Sequence, residues 1–359
     1  MGTMFGHKGN SFLTSARLDS TDLQLMLDQT AGLWEEIREK RIFITGGTGF
    51  FGCWLMESFA WANQNLGLHA SATMLTRDAT AFVRKAPHIS ADPSIHLLEG
   101  DVRNFSFPDG DYAYVIHAAT EASLHQAENA PLEMMTTIVD GTHHILEFAR
   151  VRGTRKLLLT SSGAVYGKQP SDLAHIPESY MGGPDSLHAS STYGECKRMA
   201  EQMCMLYATH SELECKIARC FAFVGPYLPL DTHFAIGNFI RDAIAGTTIN
   251  IQGNGTPMRS YLYAADLAIW LWTMLFRAPS LRAYNVGSEE AVSILDLARE
   301  TASVLRPDLE IQVNERPVPG VPALRYVPAT TCAREELGLR QHIDLREAIQ
   351  RTAKWYGYE

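Results

Sequence analysis

A short apolar run, Arg41-Ile-Phe-Ile-Thr45, passes directly into Gly46-Gly-Thr-Gly49-Phe-Phe-Gly52 and then into a helical stretch over 50–62. Few turns join a strand to a helix with glycines three apart. Gly46 permits the tight turn, Gly49 lets the backbone approach a pyrophosphate, and Gly52 allows close packing of helix on sheet. The free N–H groups and dipole at the start of the helix then favour an anion. The segment therefore predicts a dinucleotide site opening a parallel sheet.

The rest of the chain fits such a sheet. Apolar strand-like runs recur at 69–76, 95–99, 112–118, 156–161 and 214–221, with long helical patterns over 131–150 and 191–210. Strands that alternate with helices and are apolar on both faces indicate a parallel sheet covered on both sides. The expected fold class is α/β, a Rossmann-type doubly wound parallel sheet with a smaller C-terminal substrate-binding region. The pattern divides the chain into an extension (1–40), a dinucleotide-binding unit (41–230) and a substrate-binding region (231–359). Part of 256–287 is expected to return to the first unit. Helices are predicted over 234–245, 266–276 and 293–305, with strands at 249–252 and 283–286. Four prolines make 315–330 an extended loop. In the extension, Ser20 or Thr21 can cap an amphipathic helix carrying Leu23, Met26, Leu27, Leu33, Trp34 and Ile37, read as a packing arm.

Composition narrows the function. A formal charge of −9 over 359 residues argues against nucleic-acid binding. Six cysteines form no CxxC pair and no zinc-like spacing, so no metal is expected. With no secretory leader pattern and no run of 18 apolar residues, the reading is a cytoplasmic protein without a membrane span.

The glycine turn resembles the GxxGxxG fingerprint of the extended short-chain dehydrogenases/reductases, the NAD-dependent epimerase/dehydratase group that modifies nucleotide sugars. The likeness continues through Gly100-Asp101-Val102, His117-Ala118-Ala119, Ser161 to Gly167 (SSGAVYG), Tyr193-Gly-Glu-Cys-Lys197 and Arg219 to Pro226. It implies that Gly46, Thr48, Gly49, Phe50, Phe51 and Gly52 cradle the cofactor. It further implies that Asp101 and Val102 border the adenine, and that Ala118 and Ala119 line the phosphate and ribose side. One place departs. An NAD-type fold usually ends its second strand with an acid for the ribose 2′-hydroxyl. Here that strand ends at Leu75-Thr76, followed by Arg77, which can meet a 2′-phosphate or stack on adenine. NAD is expected, with NADP as the alternative.

Tyr193 and Lys197 lie four apart and share a helical face. Lys197 can contact the nicotinamide ribose and lower the pKa of Tyr193, which can then take a proton from a sugar hydroxyl. Ser162 can orient the same oxygen. In the resembled group, 4,6-dehydratases carry an Asp-Glu pair just before the Val-Tyr-Gly of this loop, and decarboxylating relatives carry Glu immediately before Val. Here those places are Gly163 and Ala164. The loop is closer to that of 4-epimerases; Glu121 or His125 could approach from the neighbouring loop.

For the nucleotide sugar, the resemblance implies Asn238 as a contact to the nucleotide and Arg259 as a diphosphate ligand, whose planar fork suits phosphate. Thr120 and Arg325 are further substrate candidates. The leading expectation is a 4-epimerase working through a transient 4-keto sugar. The alternatives are an NADPH-dependent 4-keto sugar reductase and then a 4,6-dehydratase; a non-enzymatic dinucleotide sensor fits poorly with all three catalytic residues present. A homodimer is expected through the helices over 131–150 and 191–210. Ile138, Ile145 and Leu146 on the first, and Met199, Met203 and Leu206 on the second, are the residues expected to meet a second copy.

Overall fold

The computed structural model describes residues 16–119, 130–232 and 234–358. Among them, seven strands form one parallel sheet: β1 (Arg41–Thr45), β2 (Ser71–Thr76), β3 (Ile95–Glu99), β4 (Tyr114–His117), β5 (Lys156–Ser162), β6 (Glu214–Cys220) and β7 (Ala283–Val286). Their order is β7-β6-β5-β4-β1-β2-β3. The sheet reverses direction of growth between β1 and β4, and the crevice at such a switch point is where open α/β sheets bind ligands.

Alternation along each strand divides the core. Ile42 and Ile44 of β1 face one side with Met74, Ile116, Leu158 and Ala218. Phe43 faces the other with Leu75, Val115, Leu157 and Leu159. The first side is covered by α1 (Ser20–Gln29), α2 (Phe50–Leu66) and the helix Ala264–Arg277. The second is covered by the helices Pro131–Val151 and Thr192–His210.

Two strands start two residues later than the sequence pattern, at Ser71 and Tyr114. The second strand starts at Ser71, because His69 has φ of 52° and cannot continue a strand. The fourth is confined to Tyr114–His117. In the extension, Asp19 rather than Ser20 or Thr21 caps α1, accepting the Thr21 N–H at 2.9 Å. The α-helix ends at Gln29, and Trp34 to Ile37 form a separate 3₁₀ turn.

The extension completes the core. Every residue from Ala264 to Phe276 is buried, a pattern that needs cover on all sides. The indole of Trp34 supplies part of it, with ring centroids 4.8 Å from Trp272 and 6.1 Å from Phe276. Its Nε1 donates to Thr30 Oγ1 at 2.8 Å. Asp22, also buried, accepts from Tyr263 Oη at 2.7 Å and pairs with Arg351, which offsets the cost of burying its carboxylate. We expect Trp34→Ala to lower unfolding stability by about 3–5 kcal/mol, the cost of emptying a large buried aromatic site. Urea unfolding of both proteins checks this; a loss within about 0.5 kcal/mol, the scale of a surface substitution, would mean the arm is dispensable.

The chain after β6 supplies a further cluster of elements. Helices Ala235–Ala245, Ile294–Leu305 and Leu345–Trp355 pack around the paired strands Ile249–Ile251 and Ile311–Val313. A second small sheet joins Val292–Ser293, Met258–Arg259 and Arg325–Tyr326. The last of these lies within the stretch read from sequence as an extended loop.

Candidate active site

The glycine turn is built as the spacing requires. Gly46 has φ of 70°, and a Cβ there would lie 2.4 Å from the Ala118 carbonyl oxygen. A Cβ at Gly52 would lie 2.2 Å from the Gly47 Cα. Gly49 is different: the nearest atom to its added Cβ is Gly46 O at 3.3 Å, and it begins α2 with no side-chain cap. The first N–H groups of α2 are therefore free of a side-chain acceptor at the exposed end of the turn, a cradle suited to a pyrophosphate. Phe50 and Phe51 are half-buried behind it. Lys85, which sequence reading missed, clamps the turn by donating from Nζ to the Thr48 carbonyl at 2.8 Å.

The loop after β4 is tied to this turn. Thr45 Oγ1 accepts the Ala119 N–H at 3.0 Å and hydrogen-bonds His117 Nδ1 at 2.7 Å. Burial, aided by the charge of Lys197, pushes His117 down to about 3, so it stays neutral. Ala118 and Ala119 are half-buried at this strand end. Thr120, Glu121 and His125 lie outside the described residues.

At the adenosine end, Arg77 is exposed, and Asp78 is occupied as the cap of the helix Ala79–Lys85, accepting the Ala81 N–H at 2.7 Å. Asp101 pairs with Arg103 at 2.7 Å, and that hydrogen bond holds its carboxyl below the usual range. Val102 is buried against helix Pro131–Val151, where a Cβ on Gly141 would lie 2.9 Å from Val102 Cγ1.

Ser162, the last residue of β5, caps the 3₁₀ turn Gly163–Tyr166 by accepting the Ala164 N–H at 3.1 Å. Tyr193 enters from the first turn of Thr192–His210, close enough to the Ser162 side chain for that hydroxyl to favour its ionised form. One turn later Lys197, 3% exposed, donates from Nζ to the Thr160 carbonyl at 2.8 Å and stands 5.8 Å from the Tyr193 ring centroid. The three residues are thus brought together. The electrostatics differ from expectation. Burial is the dominant influence on Tyr193 and pushes its phenol up, with Ser162 pulling the other way. Burial also brings Lys197 down to about 8.

A buried network stands behind this strand end. Glu201 accepts from Ser161 Oγ at 2.5 Å and pairs with Arg219 at 2.7 Å. Arg219 donates to Tyr166 Oη at 2.9 Å, and Tyr166 donates to Asn285 Oδ1 at 2.8 Å. It ties β5, β6 and β7 together beneath the loop that carries Ser162.

On the substrate side, Asn238, Phe239, Arg241, Asn250, Gln252 and Pro257 help line a cavity of about 700 Å³. That size suits a small-molecule ligand. Asn238 Oδ1 is held by Arg241 at 3.1 Å. Arg259 leaves the cavity-lining segment towards the catalytic end, with its guanidinium 5.7 Å from the ring of Tyr326. Arg325 pairs in register with Met258 and is half-buried.

Residues 42–287 match the NAD dependent epimerase/dehydratase family. The chain belongs to that family. A relative, UDP-glucuronic acid decarboxylase 6 of Arabidopsis thaliana, is 31% identical over 310 residues, covering 86% of each chain. Two solved structures share the fold of this epimerase/dehydratase-family chain. An epimerase of Methanothermobacter thermautotrophicus superposes with a TM-score of 0.75 at 21% identity, covering 93% of this chain and 96% of that one. The UDP-glucose 4-epimerase of Thermus thermophilus, solved in complex with NAD, gives 0.72 at 22%, covering 88% and 98%. Among the described residues of this family member, no helix is long and apolar enough to cross a membrane, and no group of His, Cys, Asp and Glu is placed to hold a metal.

Proposed function

We propose that this family member is an NAD-dependent nucleotide-sugar 4-epimerase acting on a uridine nucleotide sugar. The observation that carries the reading is the catalytic loop. Ser162, Tyr193 and Lys197 are assembled, while Gly163 and Ala164 supply no acid to the sugar. A side chain at 163 would meet Phe221 and Tyr326 within 2.8 Å, so the loop is built around that absence.

Gly46, Thr48, Gly49 and the start of α2 would hold the dinucleotide's phosphates, with Ala118 and Ala119 beside them. The bound nicotinamide supplies two-electron oxidation and reduction at C4 of the sugar. As its phenolate, Tyr193 takes the C4 hydroxyl proton and later returns it; the charge of Lys197, 5.8 Å from its ring, works against the burial that disfavours that form. Ser162 holds the oxygen through the change, and Lys197 places a donor beside the nicotinamide ribose. Asn238 and the cavity around it take the nucleotide; Arg259 and Arg325 take the diphosphate, leaving the sugar room to present its other face.

A second reading is favoured by the decarboxylase relative. It shares C4 oxidation and differs in losing the sugar's carboxyl group. Proton NMR of the purified protein with UDP-glucose and UDP-glucuronic acid separates the two. The C4 epimer with all carbons retained is expected. A UDP-pentose with carbon dioxide release would move the assignment to decarboxylase, and loss of water would move it to dehydratase.

The assembly is a homodimer in the same proposal, with a corrected surface. Ile138, Ile145 and Leu146 are buried within their own chain against the sheet. The large apolar residues left exposed are Leu132, Met135 and Val151 on Pro131–Val151, and Met199 and Leu206 on Thr192–His210, while Met203 is half-buried. Light scattering is expected to give twice the 39.9 kDa chain mass; a single-chain mass would contradict it. The six unpaired thiols suit a reducing compartment such as the cytoplasm.

A further inference from the structure

A third hydroxyl group stands at the end of β5, beside those of Ser162 and Tyr193. Tyr326 lies on the two-residue strand Arg325–Tyr326, which is held in place by parallel pairing with Met258–Arg259. Its ring packs on Phe221 with centroids 4.6 Å apart. Its hydroxyl is 3.5 Å from Ser162 Oγ and 3.5 Å from the Cys220 carbonyl. The Ala164 backbone N–H, which donates to Ser162 Oγ, also acts on it electrostatically. The phenol is near enough to Tyr193 to disfavour that residue's ionised form.

The position has a second aspect. A Cβ on Gly163 would lie 2.8 Å from Tyr326 Oη and 2.7 Å from the Phe221 ring. Residue 163 is one of the two loop places that carry acids in the dehydrating branch of the resembled group. In this chain a phenol from a distant strand occupies the space that such a side chain would enter. The glycine at 163 and the tyrosine at 326 are therefore complementary, and together they bring a hydroxyl donor to the catalytic serine.

Resting on the nucleotide-sugar reading above, we propose that Tyr326 is a further catalytic residue that donates a hydrogen bond to the sugar's C4 oxygen alongside Ser162. Burial pushes its phenol up to about 12 and raises Tyr193 too; the proton exchange falls to Tyr193 because the Lys197 ammonium stands 5.8 Å from its ring. In the oxidation, the C4 hydroxyl proton would go to the Tyr193 phenolate oxygen, and the C4–H electron pair would leave as hydride to the dinucleotide that the glycine turn would hold. Tyr326 transfers nothing; it stabilises the oxygen while that oxygen carries partial negative charge, in this step and in its reversal. A neutral donor fixed in a site shielded from water is effective in this role because it needs no reorganisation.

Tyr326→Phe tests the assignment, since it keeps the ring on Phe221 and removes only the donor. We expect kcat to fall about 100-fold, with KM for the nucleotide sugar changed by less than about threefold. The isotope effect from a C4-deuterated substrate should rise as hydride transfer becomes more rate-limiting, and the melting temperature should stay close to that of the unsubstituted protein. Tyr326→His, which keeps a donor on a planar ring, should recover part of the rate. A Tyr326→Phe enzyme with kcat within about twofold of the unsubstituted protein overturns the proposal, as does a raised KM with unchanged kcat. If the unsubstituted protein itself turns over neither UDP-glucose nor UDP-glucuronic acid, the epimerase reading fails and this assignment fails with it.

Discussion

Tyr193→Phe is expected to lower turnover at least about 100-fold, the scale of a lost general acid–base group. The substitution keeps the half-buried ring at the start of Thr192–His210 and removes only the phenol oxygen near Ser162. The glycine turn that would hold the dinucleotide lies on a different connection, between β1 and α2, so cofactor retention should be unchanged. The two readouts are steady-state turnover of a nucleotide sugar and native mass spectrometry of the purified protein. Near-normal turnover with retained cofactor would remove Tyr193 from the proton path. Loss of cofactor as well would assign it a binding role instead. The pH profile carries related information. Lys197 is brought down to about 8 by burial, so its charge is fully present only below that pH. Activity that depends on the ammonium should decline as pH rises through about 8.

Gly46→Ala is expected to abolish cofactor retention. Two costs act together. The left-handed backbone, φ of 70°, costs an L side chain about 1–2 kcal/mol. The added methyl would also stand 2.4 Å from the Ala118 carbonyl oxygen. That contact is with backbone at the end of β4, held by Thr45, so the loop and the turn must separate. The separation opens the phosphate cradle itself. Gly67→Ala is the matched control. Gly67 ends α2 with φ of 56° and has nothing within 4 Å of an added Cβ. It should cost only the conformational part, about 1–2 kcal/mol, and leave binding intact. Calorimetric titration of NAD into both variants checks the pair: equal affinities would show that crowding against Ala118 is not what the glycine avoids.

Much of the fold was readable because each cue is local. The glycine turn, the apolar strands and the Tyr193–Lys197 spacing need only neighbouring residues, and the sheet follows from their alternation. What escaped depends on distant chain. The α1 cap is misplaced by one residue because Asp19, Ser20 and Thr21 are all competent caps in isolation. Ile138, Ile145 and Leu146 look like surplus apolar surface until Phe43, Val115 and Leu157 are placed beneath them. Tyr326 sits in a proline-rich stretch with no periodicity, and only pairing with Met258–Arg259 brings it to Ser162. The spacing of Tyr193 and Lys197 says nothing of their burial, which is the largest influence on both groups. Arg325 could be picked out as a charge suited to phosphate, whereas its neighbour offered no comparable signal.

The central claim is that C4 of a nucleotide sugar is oxidised and reduced within one site with every carbon retained. A substrate deuterated at C4 tests it most directly. Proton NMR and mass spectrometry of the product should show the C4 epimer still carrying deuterium at C4, because the same hydride equivalent leaves and returns. A product that has lost carbon dioxide or water, or an epimer with hydrogen at C4 in place of deuterium, would contradict the account.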